Sequence, residues 1–330
     1  MLNQTELKTL NKGEAVNHFL LVRKVETRLT KTNKEYLYLE LSDASGSISA
    51  NIWDNVDSIA SMLNTGIVAK VKGTIDDYQG TPQLKVNSIL PARADAGISV
   101  SDFLPQSKRK LDEMKTEFEA RINDIENKYL KALLQSIFNE ERFKKFSSAP
   151  AGKSWHHSYI HGLLEHTLEI IRICDLMCEI HSELNRDLLI TGAMLHDFGK
   201  TEELSFESGF DYTTKGRLLG HIVISAMLVD KAADEIKNFP PDLKDCLIHL
   251  ILSHQGKLEF ATPVVPKTLE AIALYQADEL SAKVNAYKNA LNEIKTATGW
   301  TKYLSLISTE LYNHGISSSQ EADQNKTLFD

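Results

Sequence analysis

The hydrophobic period of this chain changes once, near residue 100, and the change divides it into two kinds of structure. Between 17 and 90 apolar residues recur at every second position, and from 107 onward at every third or fourth. The first spacing is that of half-buried strands, the second that of amphipathic helices. At 330 residues the chain is long enough for two separate cores.

The first part reads as five strands at 18–28, 35–42, 47–54, 67–75 and 83–90, with turn signals at Thr32-Asn33, Ser45-Gly46 and Gln79-Gly80-Thr81-Pro82. A helix-like insert at 56–63 falls between the third and fourth strands, the order expected of an OB-fold barrel. Leu37, Leu39 and Leu41 alternate with Tyr36, Tyr38 and Glu40, while Ile48, Ala50 and Ile52 alternate with Ser49, Asn51 and Trp53. If the aliphatic set fills the barrel, Tyr36, Tyr38 and Trp53 stand outside strands two and three, where such barrels stack single-stranded bases. Arg28, Lys31 and Lys34 near the first hairpin are candidate phosphate contacts. Packing against a neighbouring domain competes for the same rings.

Residues 94–106, small and polar, read as a linker between the barrel domain at 1–93 and a helical domain at 107–314. From 315 to 330 the chain is rich in Ser, Gln, Asp and Asn and reads as a disordered tail. The stretch 107–146 carries Leu111, Met114, Phe118, Ile122, Ile125, Tyr129, Leu133 and Ile137 among dense charges. It predicts amphipathic helices, with room for a subunit contact in a homo-oligomer.

Charge is unevenly spread. Residues 1–93 hold 11 Lys+Arg against 10 Asp+Glu, so the excess behind the net charge of −8 lies in the helical part, which suits a cation more than bare phosphate. No apolar run reaches the ~18–20 residues of a membrane span, and the opening residues lack a signal-peptide core, so a cytoplasmic location is expected. The three cysteines, Cys174, Cys178 and Cys246, are odd in number and sit in apolar helical patterns, as buried small side chains in a reducing compartment would.

The chemistry gathers around Leu195-His196-Asp197-Phe198-Gly199-Lys200, at the end of an apolar helix. Burying such an imidazole and carboxylate is unfavourable by several kcal/mol unless something compensates, and a bound cation compensates for both. His166 lies beside an apolar helical face, Gly220-His221 opens a further helix, and His254 shares a face with Leu247, Leu250 and Ile251. His249 points elsewhere. Asp278 interrupts a helix whose other inward positions read as Ile272, Leu274 and Leu280. Imidazole and carboxylate without thiolate suit Mn²⁺, Co²⁺, Fe²⁺ or Zn²⁺, and a carboxylate able to bridge suits a two-metal centre that clamps a phosphoryl group.

In this order the residues His166, His196-Asp197, His221, His254 and Asp278 resemble the HD superfamily of metal-dependent phosphohydrolases, in the form whose two extra histidines signal two metals. The resemblance implies one metal on His166, His196, Asp197 and Asp278, with Asp197 bridging to a second on His221 and His254. Lys200 matches the family's lysine after the His-Asp pair, there to bind phosphate or neutralise charge; a salt bridge to a nearby carboxylate is its plain alternative. The implied fold is α+β in two domains, a five-stranded OB-fold barrel followed by an all-α HD domain.

From about residue 10 to 314, and including Trp155-His156-His157-Ser158-Tyr159-Ile160-His161-Gly162, the chain resembles the YhaM-type 3′→5′ exoribonucleases of Gram-positive bacteria. That implies hydrolysis of single-stranded RNA, and of single-stranded DNA, from the 3′ end with Mn²⁺ or Co²⁺, releasing nucleoside monophosphates. Asp197 and Lys200 are then the catalytic candidates, and His156, His157, His161 and Arg217 candidate substrate contacts. Polarity rests on the resemblance alone. Two other readings stay open: a phosphohydrolase of a small or cyclic nucleotide regulated by the barrel, and a binding module whose helical domain is only structural. The Gly-Tyr-Pro signature of cyclic-dinucleotide phosphodiesterases is absent.

Overall fold

The computed structural model describes residues 4–78, 81–93, 97–153, 156–205, 210–292, 298–305 and 307–316. Five strands, β1 (Ala15–Leu29), β2 (Glu35–Ser42), β3 (Ser47–Ile52), β4 (Val68–Tyr78) and β5 (Thr81–Pro91), close into a barrel in the order β1-β2-β3-β5-β4. β1 is long because it serves two neighbours: Ala15 to Leu21 pair with β4 and Leu21 to Leu29 with β2, with an irregularity between Val22 and Lys24. Closure comes from a short parallel pairing of β3 with β5 at Ser49–Gln83 and Ala50–Leu84. The alternation behaves as the sequence predicts. Leu37, Leu39, Leu41 and Ala50 are fully buried in the barrel with Leu20, Ala69 and Val71. The insert between β3 and β4 is α1 (Val56–Met62), which lays Val56, Ile59 and Ala60 against the barrel.

The helical part contains α2 (Leu111–Asn123), α3 (Lys128–Ile137), α4 (Glu140–Ser148), α5 (Gly162–Ile180), α6 (Arg186–Leu195), α7 (Lys200–Glu203), α8 (Thr214–Asp234), α9 (Pro241–Ser253) and α10 (Leu269–Leu291). Two small strand pairs accompany them: β6 (Leu204–Ser205) with β7 (Asp211–Tyr212), and β8 (Gly299–Trp300) with β9 (Tyr312–Asn313). Side chains cap the helices where the sequence offers short polar groups, with Asn127, Asn139, Asn185, Thr213 and Thr268 each accepting from a first-turn N–H, while Pro241 opens α9. Among the described residues no helix is long and apolar enough to cross a membrane.

Several expectations change. The apolar stripe of 107–146 divides into three helices and is consumed within the chain, because Met114, Phe118, Leu130, Leu133, Leu134, Ile137 and Phe146 are all fully buried in the helical core. The linker is no loose tether over its described residues: Phe103 and Leu104 are 1% and 0% exposed and join Leu21 and Val68 of the barrel to Ile160 and Phe210 of the helical part. Ile272 and Leu280 are about half exposed, since α10 buries Ala271, Leu274, Ala277 and Ser281 instead. The tail from 317 lies outside the described residues.

Candidate metal centre

The six sequence-picked donors come together. Ligand atoms of His166, His196 and Asp197 lie within 4.8 Å of one another, as do those of His196, His254 and Asp278, and those of Asp197, His221 and His254. Asp197 divides its oxygens between them. Its Oδ1 is 3.3 Å from His221 Nε2 and 3.6 Å from His254 Nε2, while Oδ2 is 3.3 Å from His196 Nε2 and 3.8 Å from His166 Nε2. Asp278 Oδ1 stands 3.1 Å from His166 Nε2.

In all four histidines Nδ1 is engaged elsewhere, so Nε2 is the atom presented to the cluster. His166 Nδ1 donates to Ser281 Oγ at 3.1 Å, and that hydroxyl donates to Glu169 at 2.7 Å. His196 and His254, each closing a helix, donate to the carbonyls three residues back, Ala193 at 2.8 Å and Ile251 at 2.7 Å. His221 Nδ1 donates to Glu203 Oε1 at 3.1 Å, and the same oxygen accepts the His221 backbone N–H at 3.0 Å. Such partners fix the tautomer and turn the Nε2 lone pair toward a cation.

The backbone around the cluster explains its shape. Phe198, beside Asp197, is buried with its ring parallel to Phe146 at 5.8 Å and edge-on to Phe138 at 5.3 Å, which ties the His-Asp pair to α3 and α4. At Gly199 a Cβ would lie 2.3 Å from the His221 carbonyl oxygen, so only glycine lets this strand of chain meet α8. α8 begins earlier than expected, at Thr214, and kinks at Gly220, whose φ of 71° turns His221 inward.

Burial dominates the electrostatics. It pushes the His166 imidazole well below its ordinary range, with nearby His157 adding to the shift, and it brings His254 down to about 4. Burial would push the Asp197 carboxyl up, but the charges of Lys200 and His196 override it and hold Asp197 well below the usual carboxylate range. Asp197 in turn raises His196 and Lys200 against the effect of burial. His196 Nε2 and Asp197 Oδ1 are buried with no hydrogen-bond partner. Orphaned polar atoms of this kind are costly, and cations held by the two groups of donors would satisfy them. The donor set, imidazole nitrogens and carboxylates aimed at common points, fits divalent metal ions.

The remaining sequence-picked residues divide. His156 is half-buried, with both ring nitrogens shielded from solvent and without a hydrogen-bond partner, and lines the cleft with Asp197 and Lys200. His157 turns instead to Glu169 at 3.2 Å, His161 hydrogen-bonds the Ser147 carbonyl, and exposed Arg217 faces Asp211 at 3.5 Å. On the barrel, Tyr36 and Trp53 stack at 4.7 Å and the Arg28 guanidinium covers Tyr38 at 3.7 Å. Arg28 is also paired with Glu26 at 2.6 Å, whereas Lys31 and Lys34 are exposed in the β1–β2 turn. Sequence reasoning missed Glu203, Ser281 and Glu169. His249 accepts from the Lys267 N–H and stays outside the cluster, as expected.

A family model of the HD domain matches residues 163–283, and one of the OB-fold nucleic acid binding domain matches residues 21–92. Over 302 residues, 91% of this chain and 95% of the relative, the sequence is 32% identical to the 3′-5′ exoribonuclease YhaM of Bacillus subtilis (strain 168). It is 33% identical to the protein of that name in Geobacillus sp. (strain WCH70), over 93% of this chain and 94% of the relative. The same identity holds with that of Shouchella clausii (strain KSM-K16), over 91% and 93%. With both domains matched in order and nearly the whole length aligned, the chain belongs to the YhaM family of 3′-5′ exoribonucleases.

Proposed function

We propose that this chain is a metal-dependent 3′→5′ exoribonuclease that hydrolyses single-stranded RNA to nucleoside monophosphates, works with two divalent cations, Mn²⁺ foremost, and accepts single-stranded DNA as a second substrate. The observation that carries it is Asp197, whose two oxygens serve two separate groups of histidines in a chain that also bears a nucleic-acid-binding barrel. His166, His196, Asp197 and Asp278 would hold one cation, and Asp197, His221 and His254 the other. Bound there, the cations would polarise the scissile phosphodiester and make water a nucleophile at neutral pH.

The protein's own groups do the rest. Glu203, Ser281 and the helix-end carbonyls keep the Nε2 atoms facing inward. Lys200, 2.6 Å from Asp197, offsets the carboxylate charge and gives the cleft a cation for the substrate phosphate. Tyr36 and Trp53, stacked on each other, and Tyr38, whose ring Arg28 covers and would have to release, would receive splayed bases of the upstream strand, with Lys31, Lys34 and Arg28 near its phosphates. Stacking of this kind requires unpaired bases, which favours a single strand.

The test is a time course on 5′-labelled single-stranded RNA with Mn²⁺, comparing the native protein with Asp197→Asn. A ladder that shortens from the 3′ end only with the native protein is the expected result. Hydrolysis of free nucleotides but not of RNA would replace this reading with that of a small-nucleotide phosphohydrolase. Equal cleavage by both proteins would remove the site from the chemistry.

A further inference from the structure

A cleft of about 530 Å³ opens over the donors, with Asp197, His254 and Asp278 at its floor. That volume lies in the roughly 300–1,000 Å³ range of pockets that enclose one small ligand. Its walls differ in chemistry from its floor. One wall is the segment that follows His254: Gly256, with a φ of 75°, presses against the Tyr275 ring so closely that a Cβ there would lie 2.3 Å from Cε2. The segment is thereby seated on α10, and it carries Lys257 and Phe260 to the cleft at a fixed remove from the metal ligand His254.

Phe260 is 47% exposed, and the Lys257 ammonium lies 5.4 Å from its ring centre. Across the cleft Lys283 extends from α10. Both lysines are more than half exposed: Lys257 meets the exposed Glu259 at 3.6 Å, and Lys283 meets Glu279 at 2.7 Å, a carboxylate only 25% exposed that also lines the cleft. An exposed pair such as Lys257–Glu259 contributes about 0–1 kcal/mol, so a phosphate, with its greater charge, can draw that lysine away. The far side is made by Tyr287, Ile307 and Ser308, all beyond residue 283, where the HD match ends. A half-exposed ring, two lysines and a floor of candidate metal ligands in one cleft are the parts needed to seat a base, its phosphates and a scissile bond.

We infer that this cleft is the subsite for the 3′-terminal nucleotide, with the base against Phe260 and the phosphates within reach of Lys257 and Lys283; the inference rests on the exonuclease reading above. The specificity lies in the base contact. Release of the terminal residue from 5′-labelled single-stranded RNA is compared between an ordinary 3′ nucleotide and a 3′ abasic residue, for the native protein, Phe260→Ala and Phe260→Trp, with Mn²⁺ present. The native protein is expected to favour the ordinary end by about tenfold, as loss of one stacked base requires. Phe260→Ala brings the two rates within about twofold, and Phe260→Trp restores the preference. Equal rates on both ends with the native protein, or an equal loss on both ends in Phe260→Ala, would overturn the subsite while leaving the exonuclease standing. Failure of the native protein to shorten either RNA would instead defeat the exonuclease reading.

Discussion

Lys200 Nζ lies 2.6 Å from Asp197 Oδ2, both groups buried, while Asp197 Oδ1 on the other side has no hydrogen-bond partner. The lysine therefore occupies one edge of the carboxylate and leaves the other for the His221 and His254 side of the cluster. Lys200→Met is expected to keep the bound metal, read by elemental analysis, and to lower kcat on RNA by about 10²-fold, the usual cost of removing one donor to a developing anion. Loss of metal in that variant would make Lys200 a structural counter-ion.

Glu203 fixes His221 twice, through its backbone N–H and its ring. Glu203→Gln removes the charge behind that ring. Metal titration of the variant is expected to show one class of site weakened by roughly 10–100-fold and the other unchanged. Uniform weakening of both would contradict the division of ligands set out above.

At Gly199 the obstruction is backbone: the His221 carbonyl at 2.3 Å and the Ser225 nitrogen at 2.9 Å from an added Cβ. Gly199→Ala is expected to lower stability by about 1–3 kcal/mol or more in urea denaturation, because neither atom can yield without moving α8. Gly46→Ala, whose nearest neighbour would be Lys8 Cβ at 3.9 Å, serves as the control and should be nearly silent.

Glu117 accepts from Arg109 at 2.6 Å and from Arg172 at 2.8 Å. Burial would push its carboxyl up, yet the two guanidinium groups outweigh it and hold the group below its ordinary 4.5. A group whose pKa is lower folded than unfolded stabilises the fold above the unfolded value, and that stability drains away as pH falls through the folded one. Acidification from neutrality to below 4.5 should therefore cost the native protein more stability than Glu117→Gln, as measured by urea midpoints at each pH. Parallel curves would deny Glu117 the role.

Tyr36 and Trp53 stack on each other at 4.7 Å on the outside of the barrel, with Trp53 46% exposed. Trp53→Ala is expected to raise KM for a long single-stranded RNA by about tenfold, the lower part of the range for one lost stacking platform, and to leave hydrolysis of a dinucleotide unchanged. An equal effect on both substrates would point to misfolding.

The donors were legible in the sequence because each is a polar residue set into an apolar helical stripe, an arrangement that burial alone cannot explain. Their supports were not. Ser281 lies 115 residues from His166, and nothing local to either residue announces the contact. The histidines that close α6 and α9 are the exception, since a ring at a helix end readily donates to the carbonyl three residues back. Ile272 and Leu280 read as inward because they are apolar, but in α10 small residues take the packed side and leave these two exposed. In 94–106 small and polar composition hid Phe103 and Leu104, whose partners come from both halves of the molecule.

That joint has a geometric consequence. The Ile160 N–H donates to the Pro105 carbonyl at 2.8 Å and the Ser107 N–H to the Ile160 carbonyl at 3.0 Å, just beyond the apolar cluster of Phe103 and Leu104. The barrel and the helical body thus share one apolar joint, and a strand reaching from the aromatic face to the cleft has to span it. On the exonuclease reading the molecule is a ruler: an RNA longer than the span is gripped at both stations, whereas a shorter one must give up the barrel to keep its end in the cleft. Degradation should slow at one characteristic fragment length, set by the joint and not by the base sequence.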